Sequence, residues 1–203
     1  MAKRRTPTRH IEDVEHKHHP TAGDVLGPFY RRGAPFCTRV SPLLAPGDVL
    51  VVSGHVSSET GEPLRAALIE IWQASAAGHY DNDDPAHPPL PNKFTYRARF
   101  KTDRDGYYEF ETVYPGPYKM DERTWRTPHI HYRVHARHHK LLTTQLFFDG
   151  APYLDTDPFR KASLTIRLQA TQAPAGAYWR GKFNIVLARQ RRSAAPAKRR
   201  SRA

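Results

Sequence analysis

From Pro128 onward the chain alternates. Ile130, Tyr132 and Val134 are apolar, and His129, His131, Arg133 and His135 between them are polar. A period of two marks a strand with one buried face, because successive side chains on a strand point to opposite sides of the sheet. His129 and His131 therefore share one face, roughly 7 Å apart along the strand. Two imidazoles so placed can grip one metal ion, neutral imidazole being the commonest metal-ligating side chain. Two nitrogens rarely complete a site, so other residues would have to close it.

The same short-period patterning predicts strands over residues 49–56, 66–72, 94–102, 107–114, 141–148, 162–168 and 183–187. Asp103-Arg104-Asp105-Gly106 supplies a hairpin turn between two of them, and Pro115-Gly116-Pro117 stops the second. With 18 Pro and 12 Gly in the chain and no convincing amphipathic helix, the expected fold is an all-β, antiparallel β-sandwich with long irregular loops. Residues 21–36 mix Gly and Pro with large apolar groups, which suits an ordered irregular segment lying over the domain. Residues 73–93 hold Asp81, Asp83, Asp84 and four prolines. A loop of that length without a periodic pattern is often functional.

The formal charge of +12 would suggest a polyanion partner if it lay on the folded body. Residues 1–10 carry four Lys/Arg and residues 189–203 carry seven, with no acid in either stretch, so residues 11–188 sum to +1. The expected organisation is a disordered basic, His-rich arm (1–20), one sandwich domain (21–188) and a disordered basic tail (189–203). Polyanion binding through such tails would be weak and salt-dependent. No apolar run reaches the ~20 residues of a membrane span, and no signal-peptide core follows the basic N-terminus. Cys37 is the only cysteine, which excludes an internal disulfide. The expected setting is cytoplasmic and reducing, with Cys37 a buried small hydrophobe.

A zinc site would want further His, Cys or carboxylate ligands, yet the one Cys is remote and no His-Glu-x-x-His helix is present. The Asp-rich loop lacks calcium-loop spacing. A two-His-one-carboxylate triad for ferrous iron would place its acid where His131 stands. The neighbourhood does offer tyrosine. Tyr118 follows the Pro-Gly-Pro turn, eleven residues before His129, and Tyr80 lies beyond the strand that ends at Trp72. A free phenol has a pKa near ~10, so a strongly Lewis-acidic ion such as ferric iron is needed to keep it ionised. Spacing alone does not single out two of the ten tyrosines.

Four motifs occur in order: Leu26-Gly27-Pro28-Phe29-Tyr30; Trp72-Gln73-Ala74 with Gly78-His79-Tyr80; Asp105-Gly106-Tyr107-Tyr108 with Pro115-Gly116-Pro117-Tyr118; and Arg126-Thr127-Pro128-His129-Ile130-His131-Tyr132. Together, over roughly residues 21–188, they resemble the intradiol ring-cleavage dioxygenases of the catechol 1,2-, hydroxyquinol 1,2- and protocatechuate 3,4- types. The resemblance implies an antiparallel sandwich and a non-haem Fe(III) held by Tyr80, Tyr118, His129 and His131. It implies that a catechol-type substrate and O2 give a muconate-type diacid, with Tyr118 the displaceable ligand and Tyr80 the one that stays. Arg126 is expected to stabilise charge on the ring, Gln145 to hold Arg126, and Leu26 and Pro28 to line the substrate mouth. The long helical dimerisation region of the first two types is not evident, so the expected assembly is a homo-oligomer or an association of related subunits. The rival readings are a sandwich binding module without chemistry and a polyanion-associated protein acting through its tails.

Overall fold

In the computed structural model, which describes residues 18–174 and 176–190, twelve strands follow one another: β1 (Val49–Ser58), β2 (Leu68–Gln73), β3 (Arg97–Lys101), β4 (Tyr107–Val113), β5 (Tyr118–Lys119), β6 (Trp125–Arg126), β7 (His129–His135), β8 (Leu142–Phe148), β9 (Thr165–Ile166), β10 (Leu168–Ala173), β11 (Gly176–Lys182) and β12 (Ile185–Leu187). The only helices among the described residues are two single 3-10 turns, Leu154–Thr156 and Ala162–Leu164.

β1 is the spine of the first sheet. Its alternate residues Leu50, Val52, Gly54 and Val56 are buried, as a strand with one core face requires. It runs antiparallel to β4 and parallel to both β11 and β12, and β10 pairs with β11 outside it. The second sheet has the order β3-β2-β7-β8-β9, and β5 and β6 form a small separate ribbon. Leu50, Val52, Tyr108 and Phe110 from the first sheet meet Ile69, Ile71, Ile130, Tyr132, Val134 and Leu146 from the second in one core cluster. That is a sandwich, and the all-β expectation holds.

The antiparallel detail of that expectation is mixed. β1–β11, β1–β12 and β8–β9 are parallel pairs. β11 and β12 come beside β1 only after the whole second sheet is built, and pattern within a strand carries no information on which way its partner runs. The strand expected over 162–168 is a 3-10 turn followed by β9 and the start of β10, and the β10–β11 hairpin was not expected at all. Its residues, rich in Ala, Gln and Gly, have low strand propensity and are mostly exposed. Cys37, expected to be buried, is half-buried beside exposed Phe36. The body also takes in residues beyond the expected domain edges: the His18 amide donates to the Glu59 carbonyl, and the Arg189 amide to the Glu59 carboxylate. The basic clusters at 1–10 and 191–203 lie outside the described residues.

Gly54 shows how tightly β1 is enclosed. Tyr108 sits opposite it on β4, and the Tyr108 ring crosses it to donate its hydroxyl to the Phe183 carbonyl on the far side, 2.6 Å away. A Cβ at Gly54 would lie 1.9 Å from that carbonyl oxygen and 3.2 Å from the Tyr108 ring. An aromatic ring laid over a strand glycine is a recognised way to fill the gap.

The second sheet has its core face toward β1 and β4. Its other face carries Trp72, His129, His131 and Gln145, in the register Trp72–His131–Gln145 across β2, β7 and β8. That face would be open to water but for the irregular segments. Residues 21–36 reach it around the β8 edge, where the Asp24 amide donates to the Thr143 carbonyl and the Thr144 hydroxyl to the Ala22 carbonyl, and Gly27 then lies beside His131. We expect Gly54→Ala to lower the unfolding free energy by about 2–4 kcal/mol through overpacking and loss of the Tyr108 bond, measurable by urea denaturation.

Candidate metal centre

Strand geometry alone brings the two imidazoles to one side of β7, and packing turns their rings toward each other. His129 Nε2 lies 3.2 Å from His131 Nε2, and Tyr80 Oη lies 3.4 Å from His129 Nε2. Two donors each about 2.1 Å from one ion are ~3.0 Å apart at a right angle and ~3.4 Å apart at a tetrahedral angle. Both separations lie in the range that two donors to one ion span. Among the described residues no group of three or more His, Cys, Asp and Glu side chains is arranged to hold a metal. The oxygen donor beside His129 Nε2 is the Tyr80 phenol, and a set of imidazole and phenol donors suits a hard, trivalent cation.

Two loops deliver the tyrosines. After β2 the chain turns at Ser75–Gly78, with the Gly78 amide on the Ser75 carbonyl, and then presents Tyr80. After β4 it turns through Pro115-Gly116-Pro117, with the Gly116 amide on the same Ser75 carbonyl, and presents Tyr118. The loops touch backbone to backbone: a Cβ at Gly78 would be 2.2 Å from the Pro117 carbonyl oxygen, and one at Gly116 2.3 Å from that of Ala76. Gln73, buried at the base, donates to the Val113 carbonyl and ties the two loop roots together. The outcome is an edge-on pair of tyrosine rings 5.6 Å apart. The Tyr118 ring lies 5.7 Å from that of His129. Tyr80 is buried, whereas Tyr118 is partly exposed.

Arg126 is buried on the other flank. Its Nη2 donates to Gln145 Oε1 at 2.5 Å, its Nε donates to Asp157 Oδ2 at 2.9 Å, and the guanidinium lies 4.5 Å from the centre of the Phe159 ring. Asp157 also accepts the Thr127 amide at 2.8 Å. The cation is thus neutralised and its plane is fixed by three contacts.

Protonation states follow from burial. His129 Nδ1 faces the Thr127 carbonyl at 2.7 Å, so it carries the ring proton and leaves the Nε2 lone pair free. Burial, and then the positive charge of Arg126, push the His129 pKa down to about 3. Burial, then His129 and the two arginines Arg126 and Arg97, hold His131 well below the usual histidine range. Tyr80 is pushed far up by burial and by its neighbour Tyr118, while Arg126 and Arg97 oppose this. Burial also raises Tyr118, but the Arg126 guanidinium and the Tyr80 hydroxyl pull it back. Both imidazoles are therefore neutral donors at pH 7. The phenols need a bound cation to ionise.

Of the expected residues, Tyr80, Tyr118, His129, His131, Arg126 and Gln145 come together. Leu26 and Pro28 flank Gly27, whose Cβ would lie 3.3 Å from His131 Cε1, so that segment runs over the pair with both side chains exposed. A cavity of about 510 Å³ beside Tyr80 and Tyr118 is lined from that segment by Phe29 rather than by Leu26 or Pro28. His135 is exposed at the far end of β7, and His79 is exposed and paired with Asp83. Sequence reasoning missed three supporting residues. Asp157 had only an Asp-Pro step to mark it, a common turn signal. Trp72 stacks on His131 with ring centres 4.8 Å apart and planes 1° apart, and Phe29 stacks on Tyr80 at 4.3 Å. Each looks like an ordinary core aromatic in sequence.

A protein-family model described as Dioxygenase matches residues 26–189. Chlorocatechol 1,2-dioxygenase of Rhodococcus opacus is 31% identical over 188 residues, covering 82% of this chain and 72% of that protein. The protocatechuate 3,4-dioxygenase beta chain of Burkholderia cepacia is 40% identical over 116 residues, covering 55% of this chain and 49% of that one, so this chain spans about half of that relative. Among solved structures, the dioxygenase domain of a dioxygenase carbohydrate-binding fusion from Streptomyces sp. SirexAA-E superposes with a TM-score of 0.71 at 31% identity, over 85% of this chain and all of that one.

Two outcomes follow from the geometry. Asp157→Ala leaves Arg126 buried without its counter-charge, and we expect a loss of about 3–5 kcal/mol of unfolding free energy, read by urea denaturation. The pH dependence comes from the histidines. Their pKa values are depressed in the folded state, so below the ordinary value of 6.5 the unfolded chain takes up protons that the folded one does not until about pH 3 for His129. Chelator-treated protein should lose stability as pH falls from 6.5 toward 3. A variant with both histidines replaced by Gln should show a flatter profile over that range.

Proposed function

Because this chain belongs to the intradiol ring-cleavage dioxygenases, we propose that it opens a catechol-type ring between the two hydroxyl-bearing carbons, with a ferric ion held by Tyr80, Tyr118, His129 and His131. The observation that carries this reading is the convergence of two imidazole Nε2 atoms and a phenol oxygen at 3.2 and 3.4 Å, with a second phenol beside them. The relatives named for chlorocatechol and protocatechuate support the substrate class. The overall change adds both atoms of O2, breaks one ring carbon–carbon bond and yields a diacid.

A ferric ion bound there would supply Lewis acidity, keeping the phenols ionised at neutral pH and making a chelated catecholate reactive toward O2. The residues divide the remaining work. Chelation requires the catechol to give up two protons; solvent hydroxide would take one and the Tyr118 oxygen the other. It is the more exposed of the two phenols and sits on a two-residue strand at the cavity wall. Tyr80, buried and stacked under Phe29, is built to stay in place. Arg126 provides a fixed positive charge where negative charge develops on the opening ring, and pre-placed charge in a dry site needs no reorganisation during reaction. Gln145 and Asp157 keep that guanidinium from turning. Trp72 against His131 excludes water from behind the donor set.

Iron-loaded protein is expected to be coloured by phenolate-to-iron charge transfer. Oxygen uptake should be seen with at least one of catechol, protocatechuate, hydroxyquinol and chlorocatechols, and product spectra should show cleavage between the hydroxyls. Bound iron without a visible band, or cleavage outside the diol, would overturn the reading. Tyr118→Phe should shift the band and lower ring cleavage by about 100-fold or more, the size of a lost proton acceptor.

A further inference from the structure

The loop that carries Tyr80 is gripped from behind by a buried ionic cluster that the chemistry above does not use. Asp81 follows Tyr80 directly, and its carboxylate is 5% exposed. Oδ1 accepts Arg97 Nε at 2.8 Å and Arg97 Nη2 at 2.6 Å, while Oδ2 accepts Arg31 Nη1 at 2.7 Å and the Thr95 amide at 3.2 Å. Arg97 Nη2 also reaches Asn82 Oδ1 at 2.6 Å. One guanidinium therefore holds the two residues that come immediately after the tyrosine.

The two arginines differ in where they are rooted. Arg31 comes from the irregular segment. Besides Asp81 it donates to the Lys93 and Leu90 carbonyls, so it closes the long loop onto itself. Arg97 comes from β3, in register with Trp72, which is in register with His131 and stacks flat on it. Arg97, Trp72 and His131 thus form one row across three hydrogen-bonded strands. A grip rooted in that row ties the Tyr80 backbone to the same rigid frame as the imidazoles. Closing a surface loop does not call for a cation whose side chain is 1% exposed, since taking a guanidinium out of water is costly unless its partners are well placed.

We propose that Arg97 and Asp81 are a positioning pair for Tyr80, setting where its phenol oxygen stands relative to His129 and His131. The inference rests on Tyr80 being a ligand of the ferric ion. The contacts of the pair run to the residues that follow Tyr80; it acts through the backbone of one ligand, as the outer partners of metal sites commonly do.

The test compares Arg97→Lys with Arg31→Gln in full-length, iron-loaded protein. Lysine keeps the charge but cannot make the two-point contact to Asp81 together with the bond to Asn82. For Arg97→Lys we expect a shifted visible band, weaker iron retention against a chelator, and a kcat about 10- to 100-fold lower with KM changed by no more than about twofold. Arg31→Gln should loosen the loop, seen as faster proteolysis within residues 82–95, and leave the band where it is. Should Arg97→Lys not fold, Asp81→Asn, which keeps an oxygen acceptor without the charge, is read in the same way. An unchanged band and unchanged iron retention in Arg97→Lys would reduce the pair to a structural staple and overturn the inference alone. A native protein with no band on iron loading would sink the reading of Tyr80 as a ligand, and this inference with it.

Discussion

A β-strand has two faces, and β7 needs both. Ile130, Tyr132 and Val134 go into the core between the sheets, where all three are fully buried. His129 and His131 point the other way by the same geometry. The register to β2 and β8 is thereby locked, because a slip of one residue would drive the imidazoles into the apolar core and expose the three large apolar groups. That lock puts Trp72 on one side of His131 and Gln145 on the other. The candidate centre is rigid because it sits on a strand that the core cannot release.

The outer face of a sandwich sheet is ordinarily wet. Here the segments at residues 21–36, 74–96, 115–128 and 149–164 stand over it, and the histidines are 2% and 1% exposed. Covering polar donors in this way carries a penalty unless each finds a partner. The molecule meets it in part, with neutral imidazoles, one of them anchored on the Thr127 carbonyl, and with arginines that each have a buried carboxylate, Asp157 for Arg126 and Asp81 for Arg97; among the described residues Trp72 Nε1, His131 Nδ1 and Gln145 Nε2 have no partner. Cations and anions are balanced pair by pair around the donor set. The imidazole donor atoms stay unprotonated, while the phenols keep their protons until a cation binds.

Much of this was legible from residues alone. The alternation around His129 showed the strand and the shared face of the pair. Turn chemistry at Asp105-Gly106 and Pro115-Gly116-Pro117 set the hairpin and the stop before Tyr118. Location of the charge kept the basic ends out of the account of the body. Tyr80 and Tyr118 were singled out among ten tyrosines only by the family resemblance that the four motifs carry, which spacing could not do. Less visible were β10 and β11, whose Ala, Gln and Gly content gives no strand period, and Asp157, which resembles any acid beside a proline.

What the sequence determined by itself was therefore local: which segments are strands, which face each side chain takes, and which residue types are available as ligands. Those depend on the period of two and on turn stereochemistry, and both act over a few neighbouring residues. Tertiary structure alone decided the rest. The parallel return of β11 and β12 beside β1, the backbone contact of Gly78 with Pro117 that sets the two phenols edge to edge, and the carboxylates of Asp157 and Asp81 closing on their arginines all join residues far apart in the chain. Such contacts depend on how whole sheets and loops pack, and no pattern within a single segment records them.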